Sequence, residues 1–153
     1  MGLEQDIQQE SFKSEYHKLV VNIAYTQSFL NGKLNKFLKP YDLSMQQFNV
    51  LRILRGQHPE PVSINSITER MIDKMSNASR LVEKLRKKEM VERSVCKEDR
   101  RQADIKITDT GLQALAELDE SLDKYDLIFS HVPESYVKFA NEVLDRLREE
   151  NKD

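Results

Sequence analysis

Two clusters of polar side chains in the middle of the chain have the make-up of a surface that grips a polyanion. One is Lys97, Glu98, Asp99, Arg100 and Arg101, inside KEDRRQADIKITDTG; the other is Lys74, Ser76, Asn77, Arg80 and Lys84, inside DKMSNASRLVEKLRKKEM. Lysine and arginine neutralise phosphates and release their counterions. Asn can bond both edge groups of adenine and Arg those of guanine in a major groove, while arginines on a narrow projection suit the negative potential of a minor groove. On that chemistry Arg101 is the expected minor-groove or phosphate contact and Arg100 a phosphate contact. Asn77 and Arg80 are the expected base readers, Lys74 and Lys84 the phosphate contacts, and Ser76 shares their segment. Asp99 is a carboxylate among cations, so the expectation is that it pairs with an arginine, fixing the turn and aiming the side chain outward. The plain alternative is a solvated charged turn next to an ordinary polar helix face.

Local charge helps to decide between them. The 153 residues carry a formal net charge of -2, but the distribution is uneven. Residues 76–106 hold 10 Lys+Arg against 6 Asp+Glu, residues 107–153 hold 5 against 12, and residues 1–75 hold 9 against 8. Phosphate contact acts within about one Debye length, roughly 8 Å, so the basic middle block matters more than the mean.

Other chemistry finds little support. A single cysteine, Cys96, excludes an internal disulfide and a zinc site of several thiolates, and His17, His58 and His131 lack ligand spacing. There is no Gly-rich phosphate loop, no HExxH and no persuasive nucleophile-base arrangement, so neither an enzyme, a metal nor a cofactor is expected. Lys97 and Arg93 near Cys96 could favour a thiolate, yet a small residue at a strand end accounts for it as well. No apolar run approaches the roughly 20 residues of a spanning helix, and MGLEQDIQQE lacks a signal peptide's basic and apolar segments. The expectation is one domain in the cytoplasm, with no membrane partner.

The elements that position the two clusters follow from periodicity. Apolar residues recur at three- and four-residue steps from Phe12 to Leu38, predicting a long amphipathic helix that Pro40 ends. Ser44 and Gln47 form a capping-box pattern opening a helix through about Arg55, and GQHPEP is a loop. Ser63 can cap a short helix carrying Ile64, Ile67 and Met71; a further helix is expected from Asp73 or Lys74, with Ala78, Leu81, Val82 and Leu85 as its apolar stripe. Val91, Arg93 and Val95, then Ala103, Ile105 and Ile107, alternate as two hairpin strands do. Thr108 can cap a helix with Leu112, Leu115, Leu118, Leu122, Leu127 and Ile128, and after Pro133 the segment with Tyr136, Phe139, Ala140, Val143, Leu144 and Leu147 repeats the pattern. The fold class is mainly α with a small β-hairpin wing: a winged helix-turn-helix (about 42–110) between outer helices (about 8–38 and 111–150). The apolar stripes of those outer helices are wide for a monomer, which predicts a homodimer.

DRRQADIKITDTG resembles the wing signature of MarR-type regulators: Asp99, Arg101, Ile105, Ile107, Thr108 and Gly111 occupy its fixed positions. LSMQQFNVLRIL, PVSINSITERM and SNASRLVEKLRKKEMVER resemble the same family's second to fourth helices and first wing strand, so the likeness covers about residues 40–118. MIDKMSN departs from the family's usual turn before the recognition helix. The resemblance implies a dimer on a pseudo-palindromic double-stranded DNA operator, with one recognition helix per subunit in the major groove and each wing in a minor groove. It also implies repression as the commoner role and a small aromatic or phenolic effector. Phe12, Tyr16, Phe48, Tyr125 and Phe129 are the candidate effector pocket, with core or interface packing as the competing reading. The competing function is a winged-helix adaptor or ligand-binding dimer that does not bind DNA.

Overall fold

The computed structural model describes residues 2–126 and 129–149, with the side chains of 124–126 left out. Leu127, Ile128 and the Tyr125 side chain, all named above, lie outside the described residues. The chain divides into two compact units, Met1–Leu115 and Ala116–Asp153.

In the first unit a short α1 (Leu3–Asp6) precedes α2 (Glu15–Leu38). The long helix starts three residues later than the apolar pattern predicts. Ser14, not the apolar repeat, sets its start by accepting the His17 N–H, and Phe12 is left outside to meet the His17 ring edge-on. A 3-10 turn at Lys39–Tyr41 holds Pro40, and Asp42 follows in the left-handed region (φ 52°). The predicted capping box is present at α3 (Met45–Arg55): Ser44 Oγ accepts the Gln47 N–H at 3.1 Å and Gln47 Oε1 accepts the Ser44 N–H at 3.1 Å. Ser63 caps α4 (Ile64–Arg70) as expected.

The next helix, α5 (Ala78–Lys87), starts at Ala78, so the expected start at Asp73 or Lys74 is corrected. Asp73 instead closes a turn, its Oδ1 accepting the Met75 N–H at 3.0 Å and its carbonyl the Ser76 N–H at 3.1 Å. A short acidic side chain that bonds nearby backbone in this way competes with helix. Strands β2 (Val91–Val95) and β3 (Ala103–Ile107) pair antiparallel with Val91 opposite Ile107 and Arg93 opposite Ile105. A two-residue strand, β1 (Val62–Ser63), joins the other edge of β3 through Val62 and Ile105. Periodicity cannot show a strand that short.

Side chains from α3, α4, α5 and β3 make the core of this unit, among them Leu51, Leu54, Ile67, Val82, Leu85 and Ile105, all fully buried. Each contributes roughly 1.5–3 kcal/mol relative to exposure. The end of α5 is tied down twice. Glu89 takes the left-handed conformation (φ 58°), and the Met90 N–H returns to the Leu85 carbonyl at 3.1 Å. Thr108 then bonds both residues: its N–H reaches the Met90 carbonyl at 3.0 Å and its hydroxyl the Glu89 carbonyl at 2.6 Å. Thr108 Oγ1 also accepts the Gly111 N–H at 3.2 Å, capping α6 (Asp109–Asp126) as predicted. In the second unit α7 (Glu134–Glu149) follows Pro133. None of its described residues is buried.

Candidate nucleic-acid interface

Helix α5 turns Ala78, Val82 and Leu85 inward. At 100° per residue this places Arg80, Lys84 and Lys87 in a row on the opposite side. All three side chains are exposed, and none makes a hydrogen bond or ion pair with a described residue. The one acid of the helix, Glu83, is taken up by Arg86, whose Nε and Nη2 donate to its carboxylate at 3.0 and 2.9 Å. That bonding holds the Glu83 carboxyl below its ordinary value and raises the Arg86 guanidinium. The outward row is therefore positive along its whole length.

Residues before the helix have other tasks. Asn77 is its N-cap, with Oδ1 accepting the Arg80 N–H at 3.0 Å, so a bidentate adenine contact would have to share the capping oxygen. The amide Nδ2 remains its outward donor. Lys74 lies in the turn, where its ammonium donates to the Glu69 carbonyl at 2.6 Å. Ser76 is half-buried and its hydroxyl oxygen, buried, has no partner. Together Ser76, Asn77, Arg80 and Lys84 line a cleft of about 420 Å³ whose wall also includes Ser44 and Gln46 of the α3 cap. Sequence reasoning passed over Met75, 93 % exposed in the same cleft wall, and Lys87. An exposed thioether at that place can meet a thymine methyl. The signal for Met75 was its position outside any apolar stripe, and for Lys87 its spacing three residues after Lys84.

At the hairpin tip the expected Asp99–arginine ion pair is corrected. Asp99 Oδ1 accepts the backbone N–H of Arg101 at 3.0 Å, Oδ2 accepts Gln102 Nε2 at 3.3 Å, and the Asp99 carbonyl accepts the Gln102 N–H at 2.9 Å. A short carboxylate bonding the backbone two residues on is the natural closure of a tight turn. The Arg100 and Arg101 side chains are consequently left exposed, with no ion pair to any described residue. Just below, the Cys96 N–H bonds the Gln102 carbonyl at 3.1 Å, which places Cys96 as a half-buried strand-end residue.

Of the candidate pocket residues, Phe12, Tyr16 and Phe48 lie in the first unit. Phe48 is buried in the core of the first unit beside Arg52, Phe12 contacts His17 and Lys18, and Tyr16 is 83 % exposed. Phe129 belongs to the second unit and is partly exposed. Among the described residues no group of side chains could hold a metal ion, and no helix is long and apolar enough to cross a membrane.

Comparison with known proteins agrees with this geometry. Residues 43–103 match the pattern of the MarR family, a span that runs from just before α3 through β2 to the first residue of β3. The chain is similar to the HTH-type transcriptional repressor IacR of Pseudomonas putida, with 27% identity over 122 residues, 79% of this chain and 69% of that protein. It is also similar to the HTH-type transcriptional regulator MhqR of Bacillus subtilis (strain 168), with 24% identity over 131 residues, 85% of this chain and 89% of that protein. Among solved structures, the organohalide sensing RdhR-CbdbA1625 transcriptional regulator in its 2,4-dichlorophenol bound form shares the fold. The TM-score is 0.81 at 17% identity, covering 94% of this chain and 87% of that one.

Proposed function

We propose that this chain, which belongs to the MarR family, is a sequence-specific, double-stranded DNA-binding transcriptional regulator of the cytoplasm, acting as a repressor and not an enzyme. The observation that carries the proposal is the set of uncompensated cations on two neighbouring projections of one unit. Arg80, Lys84 and Lys87 lie along α5, and Arg100 and Arg101 at the tip of the hairpin. Thr108 ties the end of α5 to the strand that leaves that hairpin, so the helix and the wing keep a fixed relation. A helix in the major groove with a wing in the adjacent minor groove uses both sets at once.

Two copies would act together. Helix α2 has 24 residues, of which only Leu38 is buried, while Tyr16 and Val20 are 83 % and 64 % exposed. Helix α7 leaves Tyr136 and Phe139 at 68 % and 66 %. Faces of this kind are covered by a second subunit, and the outer helices 8–38 and 111–150 are the proposed dimerisation elements. Selection of bound sequences from a random duplex library tests the proposal. Two half-sites spaced about one helical turn apart, or a multiple of it, are expected; no enrichment at low ionic strength would refute it.

A small aromatic or phenolic effector is the second part of the proposal. The fold shared with a regulator bound to 2,4-dichlorophenol supports it. Such a ligand releases DNA only to the extent that it binds the DNA-free arrangement more tightly. Titration of the protein–duplex complex with 2,4-dichlorophenol checks this part, with loss of the complex as the expected outcome.

A further inference from the structure

A second cleft, of about 680 Å³, lies within the first unit between the end of α2, the start of α3 and the C-terminal half of α5. Its wall carries four lysines, Lys39, Lys84, Lys87 and Lys88, and one carboxylate, that of Asp42. Lys88 cancels the carboxylate. Its ammonium stands 3.1 Å from Asp42 Oδ2, donates to the Asp42 carbonyl and lies 3.3 Å from Gln47 Oε1. This bonding fixes Lys88 as a strut between the left-handed turn at Asp42 and the capping box of α3.

The other three lysines have no such task. The ammonium groups of Lys39, Lys84 and Lys87 make no hydrogen bond or ion pair with a described residue, and only that of Lys87 senses an acid, Glu83, through space. Cations brought to one concavity repel one another, and an anion seated between them turns that repulsion into attraction. Ser44 and Asn35 add neutral polar groups to the same wall. The cleft also shares Ser44 and Lys84 with the smaller cleft at the start of α5, so it continues the outward row of that helix.

We propose that this cleft is a phosphate subsite that seats a backbone phosphate of the bound duplex, so that Lys39 joins Lys84 and Lys87 and extends the contact surface beyond α5. The inference rests on the DNA-binding reading above. The same chemistry would accept the phosphoryl group of a free small molecule, and the experiment separates the two sources.

The test uses the full-length protein and the variant with Lys39→Gln and Lys87→Gln together. Both lysines are exposed and outside the core, and circular dichroism verifies that the variant folds. Duplex affinity is measured between 50 and 200 mM salt, and the DNA-free proteins are titrated with pyrophosphate by NMR. Losing one phosphate contact per subunit is expected to reduce the slope of log K against log salt by about 0.9 for each contact, roughly 2 for a dimer, with equal weakening on all sequences. An unchanged slope together with pyrophosphate binding that the variant loses would overturn the duplex as the source and leave a free phosphorylated ligand in its place. An unchanged slope with no pyrophosphate response in either protein would overturn the subsite itself. If the unsubstituted protein bound no duplex at all, the function reading would fail, while the pyrophosphate titration would still decide whether the cleft takes phosphate.

Discussion

Replacing Gly111 by alanine sets a steric cost against a gain in helix propensity, and the two have opposite signs. A Cβ at this position would lie 2.4 Å from the Met90 carbonyl oxygen and 2.7 Å from Ile107 Cγ1, where ordinary contact begins at 3.4 Å. The first turn of α6 must therefore draw back by about 1 Å from the end of α5. That movement stretches the 3.0 Å bond from the Thr108 N–H to the same carbonyl beyond useful length. Overpacking of this kind costs about 1–3 kcal/mol and a lost hydrogen bond about 0.5–1.5 kcal/mol. Alanine in a helix returns only about 0.5–1 kcal/mol over glycine. The net expectation is a destabilisation of about 1–3 kcal/mol, which at roughly 2–4 °C per kcal/mol for a chain of this length lowers the midpoint by about 6 °C. Thermal unfolding followed by circular dichroism at fixed protein concentration reads it. A midpoint equal to or above that of the unsubstituted protein would show that the propensity gain acts unopposed, and the close approach of α6 to α5 would have to be abandoned.

Further expectations concern binding, assembly and pH. Arg101→Ala should weaken operator binding by about 1–3 kcal/mol at fixed salt, the range of one good contact, and electrophoretic mobility shift measures it. Ser44→Ala removes the reciprocal cap of α3 and should lower stability by about 0.5–2 kcal/mol in urea titration, while Gln46→Ala, next to it, should have a much smaller effect. Val20→Glu places charge on the exposed face of α2 and should shift sedimentation toward the monomer; an unchanged dimer would move the interface elsewhere. The Glu83 carboxyl is held below its ordinary 4.5 by Arg86, so its folded form resists protonation more than its unfolded form. Its contribution is present above pH 4.5 and is lost as pH falls through the lowered value, which carboxyl chemical shifts followed by NMR will show.

Much of the scaffold is legible in the sequence. The Ser44–Gln47 box, the two alternating runs of the hairpin, and the Thr108 cap all rest on local rules that neighbouring residues satisfy by themselves. What escaped depended on competition or on distance. The start of α5 moved because Asp73 found backbone partners outside a helix, and Asp99 chose the Arg101 N–H over a guanidinium because that donor is held within reach while the side chain is not. Strand β1 needs a partner 43 positions away, at Ile105, to exist at all.

The pair of hydrogen bonds from Thr108 to the Glu89 and Met90 carbonyls also limits how relatives of this chain can vary in length. A residue inserted anywhere in Val91–Val95 or Ala103–Ile107 would turn every later side chain of that strand to the other side of the sheet and carry Thr108 away from its two carbonyls. Between Lys97 and Arg101, by contrast, added residues only lengthen an exposed loop. Natural homologues are thus expected to change reach at the hairpin's end while its two legs stay constant, which makes reach into the groove adjustable without retuning the body that holds it.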